Sequence, residues 1–449
     1  MKLKQTAPLL AGLAGVASLS ASAIGAGRAA SAQAPSPNIV FIMADDLGIG
    51  DLGCYNADSR IPTPHLDALA ADGMRFTDAH TSSAVCTPTR YGVLTGRYCW
   101  RSSLKRWVLG GESPALIEKD RLTVAGLLQQ HSYTTGAVGK WHLGLDWTRY
   151  TDAKGKERID YSKPITFGPR QLGFDYSYIF PASLDMAPYC WVEGDRVVEE
   201  PIGRDVGSKR RWSGGGGFWR GGAISPSFRH DQVLPIIGEK ACDFIERQAD
   251  NGPFFLYVPL TAPHTPWLPT EEFQGVTAVS WYGDFVAQVD AVMGEIVEAI
   301  DEAGVGRNTL IILTSDNGSH WPLAQIEFYG HRANAHYRGQ KADIHEAGHR
   351  VPYLVRWPGR VPAGTVCDET IGLHDLMATC AGVLGVALPD DAGEDSVNLL
   401  PAMLGKTRGA PLREAIVHHS GDGMFAIRQG DWKLILGRGS GGFTKPARI

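Results

Sequence analysis

Asn38-Ile39-Val40-Phe41-Ile42-Met43-Ala44 is an apolar run that stops on two carboxylates, Asp45-Asp46. Side chains alternate faces along a strand, so a run with no polar alternation is one buried on both faces, as in a parallel sheet covered by helices on each side. Runs of the same kind recur at Thr134 to Val138, Phe254 to Leu260, Thr309 to Leu313 and Val351 to Trp357. Between them, Tyr282, Phe285, Val286, Val289, Val292, Met293, Ile296, Val297 and Ile300 fall at three- and four-residue steps, predicting one apolar helix face closed off by Gly304. Short apolar strands alternating with helical patterns predict an α/β fold, a large and mostly parallel sheet sandwiched by helices. The sequence has no internal repeat.

The chemistry lies where those strands stop. The first runs into Asp45-Asp46, the second into Gly139-Lys140-Trp141-His142, the third into Thr261-Ala262-Pro263-His264 and the fourth into Ser315-Asp316-Asn317-Gly318. In an open α/β sheet, ligands bind outside the carboxyl ends of the strands, so these groups are expected at one rim. Asp45, Asp46, Asp316 and Asn317 make an all-oxygen donor set, which suits Ca²⁺ or Mg²⁺ and argues against zinc. Ca²⁺ tolerates irregular geometry and high coordination and fits better than Mg²⁺, which prefers a strict octahedron. Arg90, Lys140, Lys341, His142 and His264 suit an anionic tetrahedral group whose charge grows on a leaving oxygen.

The 449 residues carry 43 Lys+Arg against 48 Asp+Glu, with no long run of one sign. That leaves a nucleic-acid or polybasic membrane role without electrostatic support. Residues 1–32 read as an export signal: Lys2 and Lys4 precede an apolar stretch from Pro8 to about Gly25, and Ala30-Ser31-Ala32 is a small-residue cleavage site. A membrane anchor is the competing reading; no later segment approaches a spanning length, so no membrane span is expected after cleavage and the protein is expected to be periplasmic or secreted. The seven cysteines, Cys54, Cys86, Cys99, Cys190, Cys242, Cys367 and Cys380, are too sparse and irregular for a disulfide scaffold or a zinc site.

Cys86 stands in Ser82-Ser83-Ala84-Val85-Cys86-Thr87-Pro88-Thr89-Arg90, a Cys-x-Pro-x-Arg element followed by Leu94-Thr95-Gly96-Arg97. This resembles the motif of type I sulfatases, within the alkaline-phosphatase-like superfamily, whose cysteine a maturation enzyme oxidises to formylglycine. Tyr133 to His142 resembles the second family signature, with Ser132 where a Gly is usual. Gly339-Gln340-Lys341 with Glu346 to Pro352 resembles the segment carrying a sulfate-contacting lysine, with Ala347 in place of a usual Gly. The resemblance covers nearly all of the mature chain.

By that resemblance, Asp45, Asp46, Asp316 and Asn317 would hold a divalent cation that also contacts residue 86. Arg90 would orient the formylglycine, Lys140 and Lys341 would bind sulfate and its ester oxygen, His142 would be the base that collapses the covalent intermediate, and His264 would assist leaving-group protonation. Ser183, in Pro181-Ala182-Ser183-Leu184-Asp185, resembles a further sulfate contact. An aldehyde hydrate offers two hydroxyls on one carbon: one attacks sulfur and displaces the alcohol, and loss of the other's proton re-forms the aldehyde and expels sulfate. Serine would remain sulfated.

The resemblance also implies a catalytic domain over 36–408 and a small C-terminal antiparallel sheet over 409–449, to which Ala415-Ile416-Val417-His418-His419 and Trp432-Lys433-Leu434-Ile435-Leu436 belong. Relatives usually continue with a further strand and helix, so that sheet is expected to be incomplete. Expected substrates are aryl sulfates or sulfated glycans. The run Trp212 to Arg220, rich in Gly and aromatic residues, reads either as a substrate lid or as an unstructured loop. Two rival readings are a formylglycine-dependent phosphonate monoester or phosphodiester hydrolase, and a non-catalytic sulfoglycan-binding protein in which Cys86 is never oxidised.

Overall fold

A ten-stranded sheet organises the chain. Its strands are β1 (Asn38–Asp45), β2 (Met74–Phe76), β3 (Thr134–Lys140), β4 (Tyr176–Phe180), β5 (Val192–Glu193), β6 (Arg196–Val197), β7 (Phe254–Pro263), β8 (Thr309–Ser315), β9 (Tyr353–Arg356) and β10 (Thr365–Cys367). They lie in the order β10-β2-β9-β8-β1-β7-β3-β4-β5-β6. The computed structural model describes residues 36–210, 216–406 and 409–445. The export signal expected over 1–32, and Trp212 to Gly215 of the Gly-rich run, lie outside the described residues.

The centre of the sheet is parallel, β4, β3, β7, β1 and β8 running together. The expected strand near Val351 is present as β9, but it pairs antiparallel to both β8 and β2. The reason is the connection from β8. Residues 316–352 contain only two short helices, Leu323–Tyr329 and Glu346–His349, so the chain never crosses back and β9 starts from the carboxyl edge.

Alternation along β1 explains its unbroken apolar sequence. Ile39, Phe41 and Met43 face one core with Phe255, Tyr257 and Ile312. Val40, Ile42 and Ala44 face the other with Leu256, Val258, Phe285 and Val289. Helix α1 (Cys86–Thr95) covers the first face through Tyr91, Val93 and Leu94. Helices α2 (Val233–Gln248) and α3 (Ser280–Glu302) cover the second. Every member of the predicted α3 face is buried except Val297, which is partly so, and Gly304 follows the end of the helix in the left-handed region, φ 74°. Ser132, where a Gly is usual by resemblance, also takes a left-handed backbone, φ 65°. Glycine adopts that conformation without a side-chain penalty.

The C-terminal sheet has three antiparallel strands, β11 (Ile416–His419), β12 (Phe425–Gln429) and β13 (Trp432–Ile435). Its middle strand was not apparent in the sequence. Beyond β13 the chain packs on the connection between β8 and β9: Ile344 N–H donates to Ser440 O at 2.7 Å and Thr444 N–H to Asp343 Oδ1 at 3.0 Å. No helix among the described residues is long and apolar enough to cross a membrane. All seven cysteines are free thiols.

Candidate active site

The carboxyl ends of β1, β3, β7 and β8 bring Asp45, Asp46, Lys140, His142, His264, Asp316 and Asn317 together, as strand-end placement predicts, and each is buried. Helix α1 adds Cys86 and Arg90. Val85 is still extended, so Cys86 is the first helical residue, and Arg90, four residues on, lies on the same face of the helix. Thr87 ties this turn to its neighbours, its hydroxyl donating to His142 O at 3.0 Å and accepting from Leu109 N–H at 3.3 Å. Gly318 ends the Asp-Asn-Gly turn because a Cβ there would lie 1.7 Å from Ala347 O.

The charged groups pair one to one. Lys140 donates to Asp45 Oδ2 at 2.6 Å, Arg90 to Asp316 Oδ2 through Nη2 at 2.6 Å and Nε at 3.0 Å, and Lys341 lies 2.6 Å from Asp46 Oδ1. Arg90 also reaches Lys140 O at 3.1 Å. Burial opposes charge on Asp45 and Asp46, but Lys140, His264 and Arg90 for the first, and Lys341 and His264 for the second, hold them below the ordinary carboxylate value. At Asp316, burial and the neighbouring Asp45 win over Arg90 and push the carboxyl up. Burial works against the charge of Lys341, yet Asp46 and the other carboxylates raise it.

The Cys86 thiol lies 3.5 Å from Asp45 Oδ1, and burial pushes it well above its ordinary value, so the unmodified side chain stays a neutral thiol. A neutral, buried thiol is a poor nucleophile.

Both predicted histidines have a defined tautomer in the neutral state. His142 Nε2 lies 2.8 Å from Leu109 O, and a carbonyl only accepts, so Nε2 carries the proton and Nδ1, which is buried and has no hydrogen-bond partner among the described residues, is the free lone pair. Burial, with Lys140 and Arg90 beside it, holds this imidazole well below its ordinary value, hence neutral. His264 Nδ1 donates to Thr265 O at 2.5 Å; Ser183 Oγ lies 3.4 Å from Nδ1 and 3.5 Å from Nε2, and Nε2 is 3.9 Å from Asp46 Oδ2. Ser183 also accepts from Lys140 at 3.3 Å.

The donor atoms of Asp45, Asp46, Cys86 and His264 lie within 4.8 Å of one another. Asn317 donates to Asp46 Oδ1 at 2.6 Å, while its own Oδ1 is buried without a hydrogen-bond partner among the described residues. An orphaned buried amide oxygen beside three carboxylates fits a hard divalent cation. Three carboxylates balance Arg90, Lys140 and Lys341, so an added divalent ion leaves the site positive and suited to an anion.

Cys86, His142, His264 and Lys341 line a cavity of about 320 Å³. Trp107, Asp185, Met186, Phe218, Arg220, His320 and Phe443 complete much of its wall. The sequence reading of the Gly-rich run reached Phe218 and Arg220; it missed Trp107, His320 and Phe443. His320 had a usable signal, standing two residues past the Asp-Asn-Gly turn. Trp107 and Phe443 had none, since each arrives from a loop without a motif.

Residues 37–386 match the family model described as Sulfatase. The chain is 35% identical to an N-acetylgalactosamine-6-O-sulfatase of Bacteroides thetaiotaomicron, over 89% of this chain and 82% of that protein. It is 33% identical to the steryl-sulfatase of Rattus norvegicus, over 83% of this chain and 71% of that one. A solved Bacteroides thetaiotaomicron structure from work on the metabolism of multiple glycosaminoglycans superposes with a TM-score of 0.78 at 34% identity, covering 89% of this chain and 88% of the other.

Proposed function

The chain belongs to the sulfatase family and is a sulfuric ester hydrolase, and from that premise we propose that it removes the 6-O-sulfate of a hexosamine in a glycan, after conversion of Cys86 to formylglycine. Asp45, Asp46, Asp316 and Asn317 would hold Ca²⁺, with Mg²⁺ the lesser fit. The observation that carries the mechanism is a buried, neutral Cys86 lining a cavity, 3.5 Å from a carboxylate and beside paired cations. The similarity to the N-acetylgalactosamine-6-O-sulfatase supports the choice of substrate.

Bound Ca²⁺ would supply Lewis-acid polarisation and neutralise part of the charge on the ester. Lys140 and Lys341 are held at the rim by Asp45 and Asp46, and preorganised donors of this kind stabilise charge developing on the leaving oxygen. His264 would assist protonation of the departing alcohol through Nε2. His142 would accept the hydroxyl proton of residue 86 at Nδ1, the nitrogen left free by Leu109 O. Arg90 would fix the helix turn that carries residue 86, and Ser183 would link Lys140 to His264.

The maturation enzyme that oxidises Cys86 and export to the periplasm or medium belong to the same reading. The test is a rate comparison of the mature protein on N-acetylgalactosamine 6-sulfate, other sulfated hexosamines, 4-nitrophenyl sulfate, and matched phosphate and phosphonate esters. Preference for the 6-sulfate is expected. Faster turnover of a phosphonate or phosphodiester would place the chain with the rival hydrolases.

A further inference from the structure

Three rings from distant parts of the chain meet on one wall of the active-site cavity. Phe443 lies 5.0 Å from His320, ring centre to ring centre, with the planes 37° apart, and 5.8 Å from Trp107, with the planes 31° apart. All three line the cavity that contains Cys86 and Lys341. Phe443 is 40% exposed, an apolar ring left open beside the catalytic groups. Burial holds the His320 imidazole down to about 4, so this wall carries no charge near neutrality.

The wall is built at a cost. Trp107 takes a left-handed backbone, φ 55°, which is rare for a bulky residue and strained. Its N–H donates to Gly421 O at 2.9 Å, and a Cβ on Gly421 would come within 3.0 Å of the indole. Glycine at that point lets the C-terminal segment lie on Trp107 without displacing the indole. Beyond β13 the same segment is anchored beside Lys341 through Ser440 and Thr444, and this fixes Phe443.

We propose that Phe443 is a substrate-positioning residue, and that the wall it forms with Trp107 and His320 takes the apolar face of the sugar ring carrying the ester. This rests on the glycan sulfatase reading above. A pyranose presents C–H groups on its face and hydroxyls at its edge, so it packs on aromatic rings while its edge stays hydrogen-bonded. The wall holds the ring, and the charged groups hold the sulfate. Loss of Phe443 weakens the first and spares the second.

The experiment is steady-state kinetics of the mature, Ca²⁺-loaded enzyme and its Phe443→Ala, Phe443→Leu and Phe443→Tyr variants. Substrates are N-acetylgalactosamine 6-sulfate and methyl sulfate, with inorganic sulfate as inhibitor and a thermal melt on each variant. Loss of one buried ring contact is expected to raise KM for the sugar ester about ten- to hundredfold in Phe443→Ala. Phe443→Leu should recover little of this and Phe443→Tyr most of it, with the inhibition constant of inorganic sulfate and the methyl sulfate kinetics unchanged. A KM for the sugar ester within about twofold of wild type would overturn the proposal. So would a parallel shift in sulfate inhibition or a large fall in melting temperature shared by all three variants, since each marks a structural role. Turnover by the wild type tests the glycan reading separately: a wild type that hydrolyses methyl sulfate but not the sugar ester overturns both that reading and the sugar's place on the wall.

Discussion

Lys341 holds both oxygens of Asp46, its ammonium lying 2.6 Å from Oδ1 and 2.8 Å from Oδ2. Both residues are buried, so the lysine has two tasks: it neutralises a carboxylate of the proposed cation site and it faces the cavity that holds the ester. Lys341→Ala is expected to lower kcat/KM about a hundredfold, the loss typical of one oxyanion donor. It also leaves Asp46 buried without its counter-charge, a change that costs about 3–5 kcal/mol when one partner of a buried pair is removed. Aryl sulfate kinetics beside thermal melts checks both effects. Near-wild-type rates would remove Lys341 from the chemistry.

Cys86 provides the second prediction. As a neutral thiol it has little nucleophilic power, so activity should follow the fraction converted to formylglycine, measured by the mass of the peptide spanning residue 86. Cys86→Ala should abolish turnover without unfolding the protein. Cys86→Ser offers a single hydroxyl and should accumulate one sulfate per chain. Repeated turnover by either variant would end the assignment.

The cation forms the third. Burial and Asp45 push Asp316 up even with Arg90 at 2.6 Å, so a bound cation would offset the cost of keeping this buried carboxylate charged. Chelator treatment should reduce activity and lower the melting temperature, and added Ca²⁺ should restore both by binding the folded state. Asn317→Ala should weaken the Ca²⁺ dependence of melting, because it removes Oδ1, which has no hydrogen-bond partner among the described residues and so is left to ligate. Equal melting with and without Ca²⁺ would rule out the site.

Much of this site could be read from the sequence because each strand that feeds it is buried on both faces and stops at a charged or polar residue. The apolar run and its end are both visible in one dimension, as at Ile39 to Asp46. The cavity wall was not visible. Trp107 and Phe443 reach it through hydrogen bonds to Gly421, Asp343 and Ile344, pairings between segments far apart in the chain that leave no local pattern. Strand β12 escaped for a related reason: Ile427 is exposed and Ala426 buried, the reverse of the apolar alternation expected of a sheet face.

The junction between the main and C-terminal sheets sets the fourth prediction. His349 and His418 stack with ring centres 3.7 Å apart, and His80 Nδ1 lies 3.0 Å from His349 Nδ1. Facing them are Asp78 at 2.9 Å from His80, Lys433 at 2.6 Å and Glu346 at 3.6 Å from His349, with Arg428 and Arg350 bound to Asp78. Burial first, then the neighbouring imidazoles and cations, hold all three imidazoles below their ordinary value. The unfolded chain therefore binds protons that the folded chain refuses. Stability is fully present above the unfolded value of about 6.5 and is lost as pH falls toward the depressed folded values. Each such group contributes a slope of up to about 1.4 kcal/mol per pH unit in that window. Denaturant unfolding should show a midpoint that falls steeply below about pH 6.5. His418→Phe keeps a stacked ring but removes one titrating group, so its profile should be flatter by up to that slope. Identical slopes for variant and wild type, or greater stability in acid, would show that these histidines titrate alike in the folded and unfolded chain.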